Sequence, residues 1–222
     1  MAQITQDFFG FFRELEEHNS REWFQENKKR YEAVVKEPFT ALVERLLQEI
    51  EQLDPSISMN AKDALFRINR DVRFSKDKTP YNTMMKAAFA RDGRKSGNAG
   101  YYLGLGADGL HVGGGIYDLD RERLALVRNH IAANSEQFLD LVGGKDFCAG
   151  FGEVKGEKNK RLPSDLQSIS EKIPQIANKQ FYCMAHITDQ RKLVGDSLHA
   201  VILEHFRLIT PFNAFLNNAF EA

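Results

Sequence analysis

The stretch "GYYLGLGADGLHVGGGIY", residues 100–117, decides the fold. Two runs of alternating character, residues 100 to 106 and 109 to 117, meet at Ala107-Asp108-Gly109, a tight turn flanked by β-formers, so the reading is an antiparallel hairpin. Gly104, Gly106 and Gly109 satisfy a GxGxxG pattern. That pattern cradles a dinucleotide only where a strand runs through it into a helix, and here a second strand follows. The glycines therefore serve a turn and close backbone approach. Gly113-Gly114-Gly115 reads as a bulge or bend.

Working outward, the period of two extends back through residues 83 to 90 and 65 to 74, which predicts a meander over residues 65–117. The polar loop "RDGRKSGNAG" joins the second and third of these segments. Upstream, residues 1–55 read as helical: Phe8, Phe11, Phe12 and Leu15 recur at helical spacing, and Asn19 with Glu22 suggests a capping box. Pro38 kinks or restarts the chain, and Phe39, Leu42, Val43, Leu46, Leu47 and Ile50 form the next apolar stripe. Asp118 or Asp120 caps a helix after the sheet. Residues 118–222 read as helices with one late strand, "QFYCMAHIT", a helix through Val194–His205 and a separate short one opened by Pro211. The expectation is a single α+β domain, a mainly antiparallel sheet flanked by N-terminal and C-terminal helices.

Bulk composition narrows the function classes. Of 222 residues 42% are hydrophobic and 27% charged, with a net charge of -1, which excludes a globally basic nucleic-acid binder. The charge is nonetheless divided. Residues 62–95 hold ten Lys/Arg against four Asp, a local +6, which leaves -7 for the rest. No leader-like or membrane-spanning run is evident, and Cys148 and Cys183 form neither a CxxC pair nor a disulfide framework. A soluble, cytoplasmic protein is expected, with no cofactor and no metal site. His186 and Asp189, His199 and His205, and Asp118-Leu119-Asp120 all lack convincing ligand spacing. Gly195-Asp196-Ser197-Leu198 matches a hydrolase signature, but it opens an amphipathic helix near the chain's end, where Asp196 and Ser197 suit the first turn.

Chemistry concentrates in "RINRDVRFSKDKTPYN", residues 67–82. Read as a strand, it puts Phe66, Ile68, Val72 and Phe74 on one side and Arg67, Asn69, Asp71 and Arg73 on the other. Arg70 falls among the apolar side chains, so an acceptor must meet it. Arg67 and Arg73 stand about 20 Å apart by strand rise, too wide for one phosphate. Lys76 and Lys78 in the following loop could close over a ligand with several anionic groups, and Pro80 with Tyr81 stiffens the exit.

The candidate anion-binding residues are therefore Arg67, Arg70, Arg73, Lys76 and Lys78, supported by Asp71, Asp77 and Tyr81. The partner they imply is a phosphate- or carboxylate-bearing small molecule. Other readings fit the same residues: a salt-bridge lattice that seats the N-terminal helices on the sheet, or weak nucleic-acid binding. As an enzyme, the chain would draw an acid or base from Asp71, Asp77, Asp118 or His111. As an interaction protein it would offer Phe8, Phe9, Phe11 and Phe12.

The segments "NSREWFQENKKRYEAVVKEPF", "RINRDVRFSKDKTPYN", "YYLGL", "VGGGIYDLD" and "LVRNHI", in this order, resemble the bacterial and fungal family called domain of unknown function 2461. The resemblance spans most of the chain and is most specific from Arg67 through Tyr81. It implies no particular activity, cofactor or partner.

Overall fold

A computed structural model describes residues 3–221. The chain begins with α1 (Gln6–Glu17), whose Phe8, Phe9, Phe11, Phe12 and Leu15 are buried, so that cluster belongs to the core and is closed to a partner. Ser20, not Asn19, caps α2 (Arg21–Glu26), its side chain accepting from the Trp23 N–H. After α3 (Lys28–Tyr31) the chain widens into a π-helical turn, Glu32–Lys36, and tightens again into α4 (Glu37–Leu53) with Pro38 in its first turn. The π turn is how the backbone accommodates a proline without breaking. Phe39, Val43, Leu46 and Ile50 of α4 are buried, and the Phe8 and Phe39 rings stack at 6.3 Å.

A short helix, α5 (Ala61–Ala64), precedes the sheet. Its strands are β1 (Met84–Ala90), β2 (Gly100–Gly106), β3 (Gly109–Ile116) and β4 (Phe181–Ile187), in the order β1-β2-β3-β4 and antiparallel throughout. This is the expected meander completed by the late strand. Register runs unbroken through Gly113-Gly114-Gly115, so the strand has no bulge there. At Gly114 a Cβ would lie 2.4 Å from the Gly100 carbonyl oxygen, and glycine is required for that approach.

Between β3 and β4 run α6 (Arg121–Ala133), capped by Asp120, then α7 (Ser135–Gly143), α8 (Lys145–Phe151) and α9 (Ser164–Ser170). The last helix, α10 (Gly195–Asn218), is continuous through Pro211, against the expectation of two helices. Burial of Phe206, Ile209, Phe212 and Phe215 along the sheet outweighs one lost backbone hydrogen bond.

Residues 65–74 do not form the expected strand. The segment meets the sheet at its start, through the isolated bridge Leu65↔Ala87 and the Phe66 N–H donating to the Lys86 carbonyl at 2.9 Å, and then bridges only to its own loop, Asn69↔Tyr81; Phe74 is 96% exposed. The cause is local. Asp71 Oδ1 accepts the Arg73 N–H at 3.2 Å and Asp77 Oδ1 accepts the Thr79 N–H at 2.9 Å, so two Asx turns fold the chain where period two would have extended it.

Asn19 clamps the exit of this loop, donating to the Tyr81 carbonyl at 3.0 Å and accepting the Tyr81 N–H at 3.1 Å, while Phe24 stacks on Tyr81 at 4.0 Å. Asn19→Ala should therefore cost about 1–3 kcal/mol, two hydrogen bonds' worth. A urea transition followed by the fluorescence of Trp23, the chain's single tryptophan, measures it; an unchanged midpoint would show that the clamp carries no load.

Candidate functional site: a cleft on the bare face of the sheet

Alternation along the strands sorts the sheet into two faces. Met85, Ala87, Phe89, Tyr101, Leu103, Leu105, Leu110, Val112, Phe181 and Cys183 are buried beneath the helices. The other face has the opposite parity, and the register aligns it in rows: Lys86, Gly104, His111 and His186 in one, Ala88, Tyr102, Gly113 and Met184 in the next. Glycines at the centre leave the floor low.

A cleft of about 660 Å³ lies over these rows. Phe66, Met84, Lys86, Tyr102, His111, Tyr182 and Met184 line it, with Arg94, Lys95 and Asn98 from the 91–99 loop and Tyr117 and Asp118 beyond β3. The Arg94 guanidinium sits 5.2 Å from the Phe66 ring centroid and donates to the Asp63 carbonyl. Tyr117 and Tyr182 form an aromatic pair at 5.3 Å. Burial, with the Asp108 charge adding to it, pushes the Tyr102 phenol up to about 12, which keeps it a neutral hydrogen-bond donor.

Asp118 is the acidic side chain in the lining, and the cleft's cations are not paired with it. Among the described residues no carboxylate lies within ion-pair distance, 4.0 Å, of Lys86, Arg94 or Lys95. The Lys86 ammonium donates to Asn82 Oδ1 at 3.3 Å. Burial first, then repulsion from Arg70, holds Lys86 below its ordinary pKa.

The cationic ladder is arranged differently. Arg70, a quarter exposed, donates to both Asp77 and Thr79, which supplies the acceptor its position demanded. Arg73 forks onto Asp71, with contacts of 2.9 and 2.7 Å. The Lys78 ammonium donates to the Val72 carbonyl at 2.9 Å. Arg67 and Lys76 are exposed. None of these five cations lines the cleft. The residues that do, Lys86, Arg94 and Lys95, belong to the same basic stretch but to its later half. Their signal was available in "MMKAAFA", where alternation places Lys86 opposite the core-facing Met85 and Ala87.

Around His111, which borders the cleft, the fold also gathers Asp108 and His186. The ligand atoms of all three lie within 4.8 Å of one another. His111 had stood out only as a candidate acid or base, and the sequence separates it from His186 by most of the crossover.

Fold and site together define an α+β protein whose four-stranded meander carries helices on one face and a cleft bordered by Lys86, Arg94 and Lys95 on the other. A family model described as conserved hypothetical protein (DUF2461) matches residues 7–215, and the chain belongs to that family. No curated protein and no solved structure matches it.

The Thr79 N–H first, then Arg70, holds the Asp77 carboxyl at about 2 against an ordinary 3.8. A depressed carboxylate stabilises the folded loop above its unfolded pKa and loses that contribution as pH falls through the folded value. Carbon-13 titration should therefore find Asp77 ionised at pH 3. In Arg70→Met the midpoint should rise only part of the way to 3.8, because the backbone donor remains; a midpoint near 3.8 in the wild type would refute the Asx-turn geometry.

Proposed function

We propose that the protein binds a small molecule that joins a carboxylate or phosphate to a flat or apolar body, in the cleft over the bare sheet face. The observation that carries this reading is the set of three cations, Lys86, Arg94 and Lys95, left without carboxylate partners around a hollow of ligand size. A half-buried ammonium with no counter-ion is a standing desolvation cost, and an incoming anion offsets it. Phe66, Tyr102, Tyr117 and Tyr182 offer aromatic surface to the rest of the ligand. The reading thus keeps the anionic ligand expected from the basic segment and centres it on Lys86. Arg67 and Lys76, exposed in the neighbouring loop, are available to a longer, more highly charged ligand.

For the ladder itself, the Arg70–Asp77 and Arg73–Asp71 pairs support the acidic half of the salt-bridge alternative; both lie within the loop, and among the described residues neither arginine pairs with a glutamate of the N-terminal helices. Two free thiols, Cys148 and Cys183, suit a reducing cytoplasmic setting, and among the described residues no helix is long and apolar enough to cross a membrane.

Thermal shift against nucleotides, sugar phosphates and aromatic carboxylic acids tests the proposal. A ligand at a hundredfold over its dissociation constant adds about 2.7 kcal/mol to stability. Lys86→Met should abolish that shift. The same substitution should raise the melting temperature of the free protein at neutral pH: a lysine depressed by burial destabilises the fold below its folded pKa, and the penalty fades only as pH climbs toward 10.5. If no anion shifts the wild type, or if Lys86→Met responds to the ligand as the wild type does, the proposal fails.

A further inference from the structure

Asp108 sits in the two-residue turn between β2 and β3, while His111 on β3 pairs directly across the sheet with His186 on β4. The two imidazoles stack with centroids 4.2 Å apart and planes 9° apart. Both present Nε2 to the same residue: His111 Nε2 lies 2.7 Å from Asp108 Oδ2, and His186 Nε2 lies 3.7 Å from that oxygen and 2.9 Å from the Asp108 carbonyl. The approach depends on Gly109, at φ 121°, where a Cβ would stand 2.4 Å from the Ile187 carbonyl oxygen. Only glycine lets the turn close down on the end of β4 and bring Asp108 to both rings.

We propose that Asp108, His111 and His186 form a binding site for one borderline divalent transition-metal ion, of the zinc, cobalt or nickel kind. Two imidazole nitrogens and one carboxylate oxygen match that class, whereas calcium and magnesium prefer oxygen donors throughout. Metal–ligand bonds of about 2.0–2.2 Å in a tetrahedral arrangement put neighbouring ligand atoms about 3.3 Å apart. The two Asp108–imidazole separations already present, 2.7 and 3.7 Å, bracket that value, and the ligand atoms of all three residues lie within 4.8 Å; on uptake the imidazoles turn out of their parallel stack so that both Nε2 lone pairs point at the ion. Paired strands hold two of the three ligands in register before any ion arrives.

In the metal-free protein the Nε2 atoms are hydrogen-bonded to Asp108. Uptake of the ion displaces any Nε2–H from both rings, and affinity falls as pH falls. Three protein ligands leave a fourth position open. That position would accept water, and since His111 also borders the cleft, an anionic group of a ligand bound there could reach it. The site stands on the geometry of these three residues and does not require the cleft to bind an organic anion.

The test uses the full chain, free of any polyhistidine tag, and the metal alone as probe. Calorimetry with Zn²⁺ and absorbance titration with Co²⁺ should each show one equivalent bound. His111→Ala and His186→Ala should each weaken binding at least tenfold, as should Asp108→Asn, which keeps the side chain's shape. His205→Ala, on α10 and outside the cluster, should bind as the wild type does. Melting curves without metal establish that each variant is folded, and three separate ligand substitutions keep the test decisive should one of them misfold. No stoichiometric uptake by the wild type would overturn the proposal, as would ligand-position variants that bind metal as tightly as the wild type. An absence of organic-anion binding with metal uptake intact would overturn only the cleft reading.

Discussion

The architecture rests on one-sided burial. A four-stranded sheet offers two faces, and the apolar side chains of alternate residues commit one of them to the helices. Each fully buried Phe contributes about 1.5–3 kcal/mol relative to exposure, and α1, α4, the sheet and α10 supply Phe8, Phe12, Phe39, Phe89, Phe206 and Phe212 to a common core. Polar contacts then fix the seating. Asn213 on α10 donates to the Gly100 carbonyl at 3.1 Å, and Asn217 accepts from and donates to Ala99, so the helix completes the hydrogen bonding at the start of β2. With all the major helices drawn to one side, the opposite face is left to loops, and loops do not close it.

Charge follows from that division. Where the basic segment folds on itself, short acidic side chains two and seven residues away neutralise Arg73 and Arg70, and the result is a shaped surface loop. Where the same segment enters the sheet, alternation turns Lys86 onto the bare face, beyond the reach of those acids. The 91–99 loop adds Arg94 and Lys95 from the other side. A single basic stretch thus yields two electrostatic environments, one closed on itself through ion pairs and one in which the cations form none.

Much of the fold was legible because period two and period 3.6 rarely imitate each other. The hairpin of residues 100–117, the stripe of α4 and the late strand of "QFYCMAHIT" announce themselves through spacing alone. Residues 65–74 imitated a strand for the same reason, but Asp71 and Asp77 capture backbone N–H groups two residues on, and that local bond outcompetes a ladder at the sheet's edge. Pro211 marked a boundary that tertiary burial erased. The cleft could not be read because its rows need the cross-strand register, and the Asp108–His111–His186 cluster because its members meet only after β4 returns from its crossover.

Both borders of the sheet are guarded by irregular chain. Leu65 bridges to Ala87 on the β1 side, and Lys155 bridges to Tyr182 on the β4 side. Each covers part of a row of amides and carbonyls that would otherwise template a foreign strand, and lysine on one of them adds an electrostatic deterrent. Strand-to-strand addition at either border would first have to displace this cover, so the edges that most invite edge-to-edge pairing are the ones the irregular chain occupies.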